Sequence, residues 1–363
     1  MNFGEYIITF YSHEHKEQVL NVLEHLWSYE RNQFASQFEW KYEHNPNTDS
    51  VLGIVALYQD KVVGFRGYFV NRYIINGCPD TITILHPGDT CVFPEHQRKG
   101  LSVAMGKLAF QYDNRQFPLF MNTTCGENSF PGYIKMGFKP LEQKVQLRKW
   151  SINPIRLWRN RQTEEQRIPF EDSQLKDIQI NNLLQSRKPL PEQMASVVEQ
   201  QGYPYNKLCL YQDKSFFEWR YNNSTHKYLF YFLMEKDSVV GYVVLGISRN
   251  NQAAKILDYA QVNDNAITTL LTHIIKSRRF VKLSVYCYGL NQQVLRDLSD
   301  LGFSLLPPWK KILLKNDSPK KNVYPLLVRP TKESFSEQDF IINGLNVLDF
   351  KNWMLKPICS DSE

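Results

Sequence analysis

Residues 92–105 read VFPEHQRKGLSVAM, and this stretch decides the fold prediction for the chain. An apolar strand ends at its start, Pro94 prevents the strand from continuing, and the cations Arg98 and Lys99 precede Gly100. An amphipathic helix then begins at once. The start of a helix presents unpaired backbone N–H groups and a partial positive charge, and phosphates are its usual ligands. Because a glycine lets a ligand approach the backbone closely, the stretch predicts a phosphate-binding loop.

The segments on either side of the loop predict a mixed α/β domain. Before it, a strand and an amphipathic helix are followed by three strands, with tight turns at Gln59-Asp60 and Asn76-Gly77. After it come the strand PLFMNTT, a short helix that Ser129 is expected to cap and that ends at Gly137, and a last strand, EQKVQLRKW. This order predicts one domain that ends near residue 150.

The hexapeptide Gln97-Arg98-Lys99-Gly100-Leu101-Ser102 resembles the Q/R-x-x-G-x-G/A pyrophosphate loop of the GCN5-related N-acetyltransferases. The last position departs from that pattern, since it is serine, but it is also small. The order of strands and helices resembles that fold as well. A second motif with Asn128, Tyr133 and Met136-Gly137-Phe138 follows at the family's spacing. The resemblance covers residues 5–150 and extends to the second half only as a degenerate copy.

The resemblance implies that acyl-CoA, which leaves as coenzyme A, is the acyl donor. In this family the strand that ends at Val92 splays from its neighbour, and the pantetheine arm of the coenzyme fills the gap. Backbone groups of that strand would pair with the arm, the loop amides would hold the pyrophosphate, and Asn128 would lie beside the arm. The implied cofactor-binding residues are Thr90, Cys91, Val92, Gln97, Arg98, Lys99, Gly100, Leu101, Ser102 and Asn128.

Acyl transfer to an amine needs a polarised thioester carbonyl, a neutral amine and a protonated leaving thiolate. The resemblance implies that the backbone N–H of Val92 polarises the carbonyl and that Tyr133 hydrogen-bonds or protonates the sulfur. The alternative for Tyr133 is a packed helix residue. Asp89 is the first candidate base, followed by His86 and Glu39, and the alternatives are a chain of waters or a structural Asp89 that caps a turn.

A weak internal repeat divides the sequence in two. Phe38-Glu39-Trp40-Lys41-Tyr42 returns as Phe217-Glu218-Trp219-Arg220-Tyr221, and Gly64 matches Gly241. The later triplet Met136-Gly137-Phe138 is echoed by Leu301-Gly302-Phe303. The same landmarks in the same order predict two copies of one α/β (α+β mixed-sheet) fold, in tandem, the N-terminal one intact. The alternative is two unrelated domains that share common strand patterns.

The second copy is predicted to have lost the cofactor. Where its loop should fall, DYAQVNDNAITTLLTHI contains no glycine and no pair of cations, and we expect Asp258 and Asp264 to make the helix start acidic. The predicted units are an acyl-CoA-binding domain over 1–150, a basic linker over 151–165, a degenerate domain over 166–320 and a C-terminal extension over 321–363. The basic stretch 144–161 is either a solvated linker or a surface that faces a phosphate.

The acceptor is suggested by a second resemblance. FEWKYEHNP, GDTCVFPEHQRKGL and the late NWM are similar to bacterial nucleotide-sugar N-acyltransferases with two such domains. The resemblance implies acylation of the amino group of a dTDP-linked amino-dideoxy sugar, with an acetyl or a hydroxyacyl group such as 3-hydroxybutyryl, for surface polysaccharide, lipopolysaccharide or capsule. The alternatives are another amine (protein, peptide or small molecule) and a non-catalytic acyl-CoA-binding module.

Repeated aromatic residues are the predicted acceptor-binding side chains. Trp40, Tyr42, Trp219 and Tyr221 would stack on a ring or a sugar face, and Arg220 would contact a diphosphate. The alternative is that the four aromatics are core residues of the repeat.

Composition excludes several other classes. The 363 residues are 42% hydrophobic, and a formal charge of +6 is too small to argue for nucleic acid. Six scattered cysteines fit reduced thiols and give no metal-ligand spacing, so no metal is expected. With no signal peptide and no apolar run of about 20 residues, we expect a cytoplasmic protein without a membrane span. Two copies in one chain can imitate a dimer, which favours a monomer.

Overall fold

A computed structural model of the chain describes residues 1–25, 31–143, 145–149, 177–248, 253–287, 292–304 and 325–359. Its strands are β1 (Asn2–Phe3), β2 (Tyr6–Phe10), β3 (Leu52–Tyr58), β4 (Lys61–Ile75), β5 (Ile82–Val92), β6 (Leu119–Asn122), β7 (Lys139–Gln143), β8 (Val145–Lys149), β9 (Ile178–Ile180), β10 (Leu183–Ser186), β11 (Leu208–Leu210), β12 (Lys227–Glu235), β13 (Ser238–Ile247), β14 (Ala253–Gln261), β15 (Lys282–Cys287), β16 (Pro325–Pro330), β17 (Ile341–Ile342), β18 (Leu345–Asn346) and β19 (Trp353–Met354).

Eight α-helices are described. They are α1 (Lys16–Glu24), α2 (Arg31–Phe38), α3 (Leu101–Leu108), α4 (Phe130–Lys135), α5 (Pro191–Gln201), α6 (Lys214–Arg220), α7 (Ala266–Lys276) and α8 (Gln292–Asp300). A π-helical turn, Glu39–Glu43, continues α2. Short 3₁₀ turns occur at His13–His15, Pro94–His96, Ala109–Gln111, Glu337–Phe340, Phe350–Asn352 and Pro357–Cys359.

All of these strands except β17 and β18, which pair with each other, form two large mixed sheets. The first has the order β1-β2-β3-β4-β5-β6-β16-β7, with β11 and β19 extending it beyond β4, and the second has the order β8-β15-β14-β13-β12-β10-β9. Apolar residues of α1, α2 and the π turn pack on one face of the first sheet, and those of α3 and α4 pack on the other. The long hairpin β3–β4 turns at Gln59 and Asp60, which both have positive φ, as a two-residue hairpin turn requires.

Each sheet includes a strand from the far part of the chain. The antiparallel strand β8 pairs with β15 in the second sheet, and β16 lies between β6 and β7 in the first. The prediction of one last strand over EQKVQLRKW is therefore wrong, because that segment contains two strands that belong to different sheets. The domain boundaries stay a prediction, and the linker 151–165 lies outside the described residues.

The two sheets repeat the same local geometry. Gly64 pairs with Val92 and Gly241 pairs with Gln261, and a β-bulge follows within a few residues in both hairpins. Counting three residues back from Val92 and Gln261 makes Asp89 equivalent to Asp258. The helices α4 and α8 both end in a left-handed glycine, Gly137 (φ 83°) and Gly302 (φ 80°). The prediction of two copies of one fold is confirmed.

Candidate functional site

A gap opens between β5 and β6. The two strands pair in parallel only where Ile84 meets Leu119 and Leu85 meets Phe120, although β5 continues to Val92. The last part of β5 stays paired with β4 on its other edge, through Phe65 with Cys91 and Gly64 with Val92. The edge that faces β6 has no strand partner there among the described residues. An extended ligand with amide groups can pair with such an edge, as the predicted pantetheine arm would.

The predicted pyrophosphate loop lies at the end of this strand, at the start of α3. Residues 97–100 are exposed. Gly100 has a φ of 82°, and its carbonyl accepts hydrogen bonds from the amides of Val103 and Ala104, so the helix's own bonding begins there. The amides of Leu101 and Ser102 precede that bonding and have no acceptor within the helix. The helix start therefore has two backbone donors without helical partners, next to an exposed loop.

The two loop cations differ in how they are held. Lys99 donates to the Tyr6 hydroxyl at 2.8 Å and lies 3.3 Å from a Glu5 carboxylate oxygen, and these partners raise the pKa of Lys99. Arg98, in contrast, is exposed and has a positive φ of 61°. Gln97 is also fixed, because its side-chain amide donates to the carbonyl of Val92 at 2.9 Å.

Tyr133 is buried on α4, beneath α3. Burial raises the pKa of Tyr133, and the charge of Arg66 opposes this shift. The guanidinium carbon of Arg66 lies 4.9 Å from the centroid of the Tyr133 ring. Asn128 is exposed just before α4. Ser129 occupies the N-cap position but does not cap the helix with its side chain; its hydroxyl bonds the backbone of Gly126 instead.

Asp89 lies at the β-bulge, with a positive φ of 42°. Its carboxylate accepts hydrogen bonds from Lys41 Nζ and from the Tyr42 hydroxyl, both at 2.7 Å. The Lys41 side chain is 2% exposed and that of Asp89 is 10% exposed, so this is a nearly buried ion pair. A carboxylate held in this way is already occupied by two donors.

The other candidate bases occupy contrasting positions. His86 is buried between Phe69 and Tyr73, and burial, followed by the charge of Lys41, lowers the pKa of His86 to about 3. Glu39 lies near the surface, 3.3 Å from Lys16 Nζ. His96 forms a hydrogen bond with the Tyr6 hydroxyl through Nδ1 at 2.9 Å.

The repeated aromatics meet at the contact between the two copies. The Trp40 indole N–H donates to the carbonyl of Trp219 at 2.8 Å, and the Trp219 indole N–H donates to the carbonyl of Trp40 at 2.7 Å. Their rings stack with centroids 5.5 Å apart. Arg220 lies over the Trp40 ring at 5.1 Å. The five predicted acceptor residues, Trp40, Tyr42, Trp219, Arg220 and Tyr221, are all buried.

A groove of about 470 Å³ runs along this contact. Equivalent residues of the two copies face each other across it, and its lining comprises Ser36, Glu39, Trp40, His44, Pro46, Ser215, Glu218, Trp219 and Asn222. Two carboxylates lie at its surface, and none of the described lining residues is lysine or arginine. The groove is therefore more complementary to a cation than to a phosphate.

The second copy lacks the loop geometrically as well. Its strand β14 reaches α7 through residues 262–265, whereas residues 93–100 connect β5 to α3. A Cβ on Gly241 would collide with the Cβ of Ala266, so the helix starts directly against the sheet. Asp264 is exposed at this helix start. The expectation that Asp258 lies there is wrong, because Asp258 is fully buried and pairs with Lys356 at 2.9 Å.

Sequence reasoning missed Arg66, the arginine beside Tyr133. It lies within the apolar run KVVGFRGYFV and is 2% exposed. A charged residue at an inward position of an otherwise apolar strand was the available signal.

The described residues contain no group of three histidine, cysteine or acidic side chains that could hold a metal ion. The five cysteines with described side chains are free thiols. Among the described helices, none combines the length and the apolar character that crossing a membrane requires.

No family model matches this sequence, and no curated protein matches it. Solved structures do share its fold. A GCN5-related N-acetyltransferase from Anabaena variabilis is 15% identical, with a TM-score of 0.57, over 90% of this chain and 73% of that one. A probable N-acyltransferase from Enterococcus faecalis is 11% identical, with a TM-score of 0.59, over 93% and 74%.

A tandem protein of the same fold, from the clavulanic acid biosynthesis pathway, is 11% identical, with a TM-score of 0.55, over 91% of this chain and all of that one. At these identities the likeness establishes the fold. Together with the repeated sheets, it shows that this chain is built from two GCN5-related N-acetyltransferase folds in tandem.

Proposed function

We propose that the protein is an acyl-CoA-dependent N-acyltransferase whose N-terminal copy binds the donor. The observation that carries this proposal is the open edge of β5, which is followed by the exposed loop residues 97–100 at the start of α3. A pantetheine arm pairs with such an edge, and a diphosphate binds such a helix start. The second copy has neither the loop nor the space for it, which supports donor binding in the first copy alone.

The reaction is direct attack of a neutral amine on the thioester in a ternary complex. The backbone N–H of Val92 polarises the carbonyl, and the Tyr133 phenol, kept protonated by its raised pKa, gives its proton to the leaving sulfur. The proton of the amine is removed either by Asp89 or through a chain of waters. Because the Asp89 carboxylate already accepts hydrogen bonds from two donors, the chain of waters is favoured. The donor is acetyl-CoA or a hydroxyacyl-CoA, and the exposed Asn128 lies on the approach to α4.

The acceptor proposed from the sequence is a dTDP-linked amino-dideoxy sugar, for a surface polysaccharide. The groove between the copies supports a second candidate, an amine that carries further positive charge. Its described lining contains the carboxylates of Glu39 and Glu218 and no lysine or arginine, although Lys16, outside the lining, contacts Glu39. A nucleotide sugar would need cations for its diphosphate. Arg220 is buried against Trp40, and most of the stretch 144–161 lies outside the described residues.

The proposal is tested by measuring thiol release from acetyl-CoA and hydroxybutyryl-CoA. One panel of acceptors contains nucleotide-linked amino sugars, and the other contains polyamines and basic peptides. Turnover with either panel supports an N-acyltransferase and selects between the two acceptors. Tight binding of acyl-CoA without thiol release for every acceptor would instead indicate a non-catalytic binding module.

Donor binding is tested separately by Gly100→Glu. The substitution puts a carboxylate and a strained backbone where the diphosphate would lie, so we expect acyl-CoA affinity to fall at least about 100-fold in calorimetry. Gly344→Glu is the matched control, since Gly344 has nearly the same φ (81°) in an open turn far along the chain. Equal affinity for the two variants would refute the loop assignment.

A further inference from the structure

Arg66 is a buried cation that forms no ion pair with a carboxylate of the described residues. Its Nε donates to the Tyr68 hydroxyl at 2.8 Å, and one terminal nitrogen donates to the carbonyl of Ser102 at 3.3 Å. Its remaining face covers the Tyr133 ring. Burying an arginine without an acidic partner carries a desolvation cost, which hydrogen bonds to a hydroxyl and a carbonyl offset only in part. The position of Arg66 in an otherwise apolar strand points to a role besides stability.

The second copy of the fold shows that the sheet does not need this cation. Arg66 is two residues after Gly64, and the equivalent position, two residues after Gly241, is Val243. The carbonyl of Tyr133 accepts a hydrogen bond from the amide of Phe138, and in the second copy the carbonyl of Leu298 accepts the equivalent bond from the amide of Phe303. Tyr133 is thus matched by a leucine.

Arg66, Tyr133, Tyr68 and Asn122 are together called the polar cluster. The last two are also replaced by apolar residues in the second copy. Tyr68 corresponds to Leu245, and Asn122, whose side chain acts to lower the pKa of Tyr133, corresponds to Val285. All four matching residues belong to one apolar core: Val243, Leu245, Val285 and Leu298. The polar cluster therefore occurs only in the copy that has the loop and the open strand edge.

We propose that Arg66 is a positioning residue for the acyl transfer, which holds the Tyr133 phenol beside the departing sulfur and stabilises the charge that develops there. This inference rests on the proposed function. It also connects the two ends of the donor site, since Arg66 bonds the first turn of α3 at Ser102 and contacts Tyr133 at the same time.

The step balances as follows. The amine nitrogen forms a bond to the thioester carbonyl carbon, and the carbon–sulfur bond breaks with its electron pair going to sulfur. Tyr133 transfers its hydroxyl proton to that sulfur, which leaves as the free thiol of coenzyme A. The phenolate then lies next to the fixed guanidinium. The amine nitrogen loses its extra proton to solvent, and solvent returns a proton to the phenolate.

The test compares wild type with Arg66→Met in the full-length chain, using the acceptor that gives turnover. With acetyl-CoA we expect kcat to fall about 10- to 100-fold and KM for the donor to stay within about twofold. With an acetyl aryl thioester, whose thiolate leaves without a proton, we expect a much smaller loss. The basic limb of the pH–rate profile should move to higher pH, because Arg66 opposes the raised pKa of Tyr133.

Four further variants, one of them a double variant, separate positioning from a purely structural role. Arg66→Lys keeps the charge and should recover part of the rate. Tyr133→Phe should lower kcat with little change in donor affinity, and its combination with Arg66→Met should lose less than the two losses multiplied. Arg329→Met removes another buried arginine, which bonds only backbone carbonyls in the described structure, and should leave the pH–rate profile unchanged.

A fifth further variant tests whether a loss of activity comes from misfolding. The quadruple variant R66V/Y68L/N122V/Y133L carries the residues of the second copy, so it should fold and bind coenzyme A in calorimetry but lack the proton-donor step. Wild-type kcat in this variant, or an equal loss on both thioesters for Arg66→Met, would overturn the inference while leaving the proposed function intact. Absence of turnover by the wild type with every donor and acceptor would overturn both.

Discussion

Asp89 and Asp258 occupy equivalent positions, and this comparison bears on the role of each. Asp89 accepts a hydrogen bond from Tyr42, and Asp258 lies 3.5 Å from the hydroxyl of Tyr221, the matching tyrosine of the repeated pentapeptide. Each also pairs with a lysine, Lys41 in one case and Lys356 in the other. Because the second copy lacks a donor loop, an aspartate at this position serves the fold in at least one copy.

The same comparison gives a prediction for Asp89→Asn. Removing the charge leaves Lys41 nearly buried without its carboxylate, so we expect the free energy of unfolding to fall by about 3 kcal/mol in urea titrations. The pH–rate profile should keep its shape, since the carboxylate is not the base in this interpretation. A shifted profile with unchanged stability would instead make Asp89 the base.

His86 predicts how stability depends on pH. Burial lowers the pKa of His86 to about 3, whereas an unfolded histidine titrates near 6.5. Between these values the unfolded chain binds the extra proton, so stability falls as the pH drops, by up to about 1.4 kcal/mol per pH unit. His86→Met should flatten this dependence in denaturant titrations. The exposed His13→Gln is the control, and an equal slope in both variants would contradict the prediction.

At the scale of elements, the pentapeptides at the ends of α2 and α6 hold the two copies together. Each contributes one tryptophan that both donates an indole N–H to the other and accepts one through its carbonyl. The arrangement is symmetric although the flanking residues differ. The pentapeptide that is repeated in the sequence therefore also forms the contact between the two copies.

This symmetry is measurable with Trp40→Phe and Trp219→Phe. Each substitution leaves one buried carbonyl without its donor, so each should lower the free energy of unfolding by about 1–3 kcal/mol, by similar amounts. The double variant should lose less than the sum, with a coupling of at least about 0.5 kcal/mol. Strict additivity in urea titrations would show that the two bonds do not depend on each other.

The sequence predicted the first and last residues of an element correctly where turn residues mark its ends. β4 matches the predicted strand KVVGFRGYFVNRYII because turn residues lie at both of its ends. The break between β7 and β8 was not predictable, because no turn residue separates them and the partner strands lie far along the chain. The loop at Gly100 was visible as a local pattern. The cluster around Arg66 required the packing of α4 onto the sheet, which no spacing in the sequence specifies.

At the scale of the whole molecule, the exchanged strands β8 and β16 determine which parts of the chain fold alone. A fragment of residues 1–150 would carry β8 without its sheet and would lack β16, which lies between β6 and β7. The edge of β6 would then be left open, and an unpaired edge promotes aggregation.

We therefore expect residues 1–160 and 161–363, expressed separately, to be insoluble. Co-expressed, the two fragments should copurify and bind acyl-CoA like the intact chain, since each supplies the strand that the other lacks. Circular dichroism during unfolding measures whether each soluble preparation unfolds cooperatively. A monomeric, cooperatively folded 1–160 fragment that binds acyl-CoA would contradict this expectation.

The position of β16 also has a consequence for biosynthesis. A ribosome delivers residues 325–330 only after the whole second sheet has been synthesised, so the sheet next to the proposed donor loop stays incomplete throughout that time. Domains that complete their sheets early can fold while the remainder is still being made, but this N-terminal half has to wait. A nascent chain that stalls before this strand would leave the ribosome with its donor-binding half unfinished, which would make chaperone dependence a direct result of the topology.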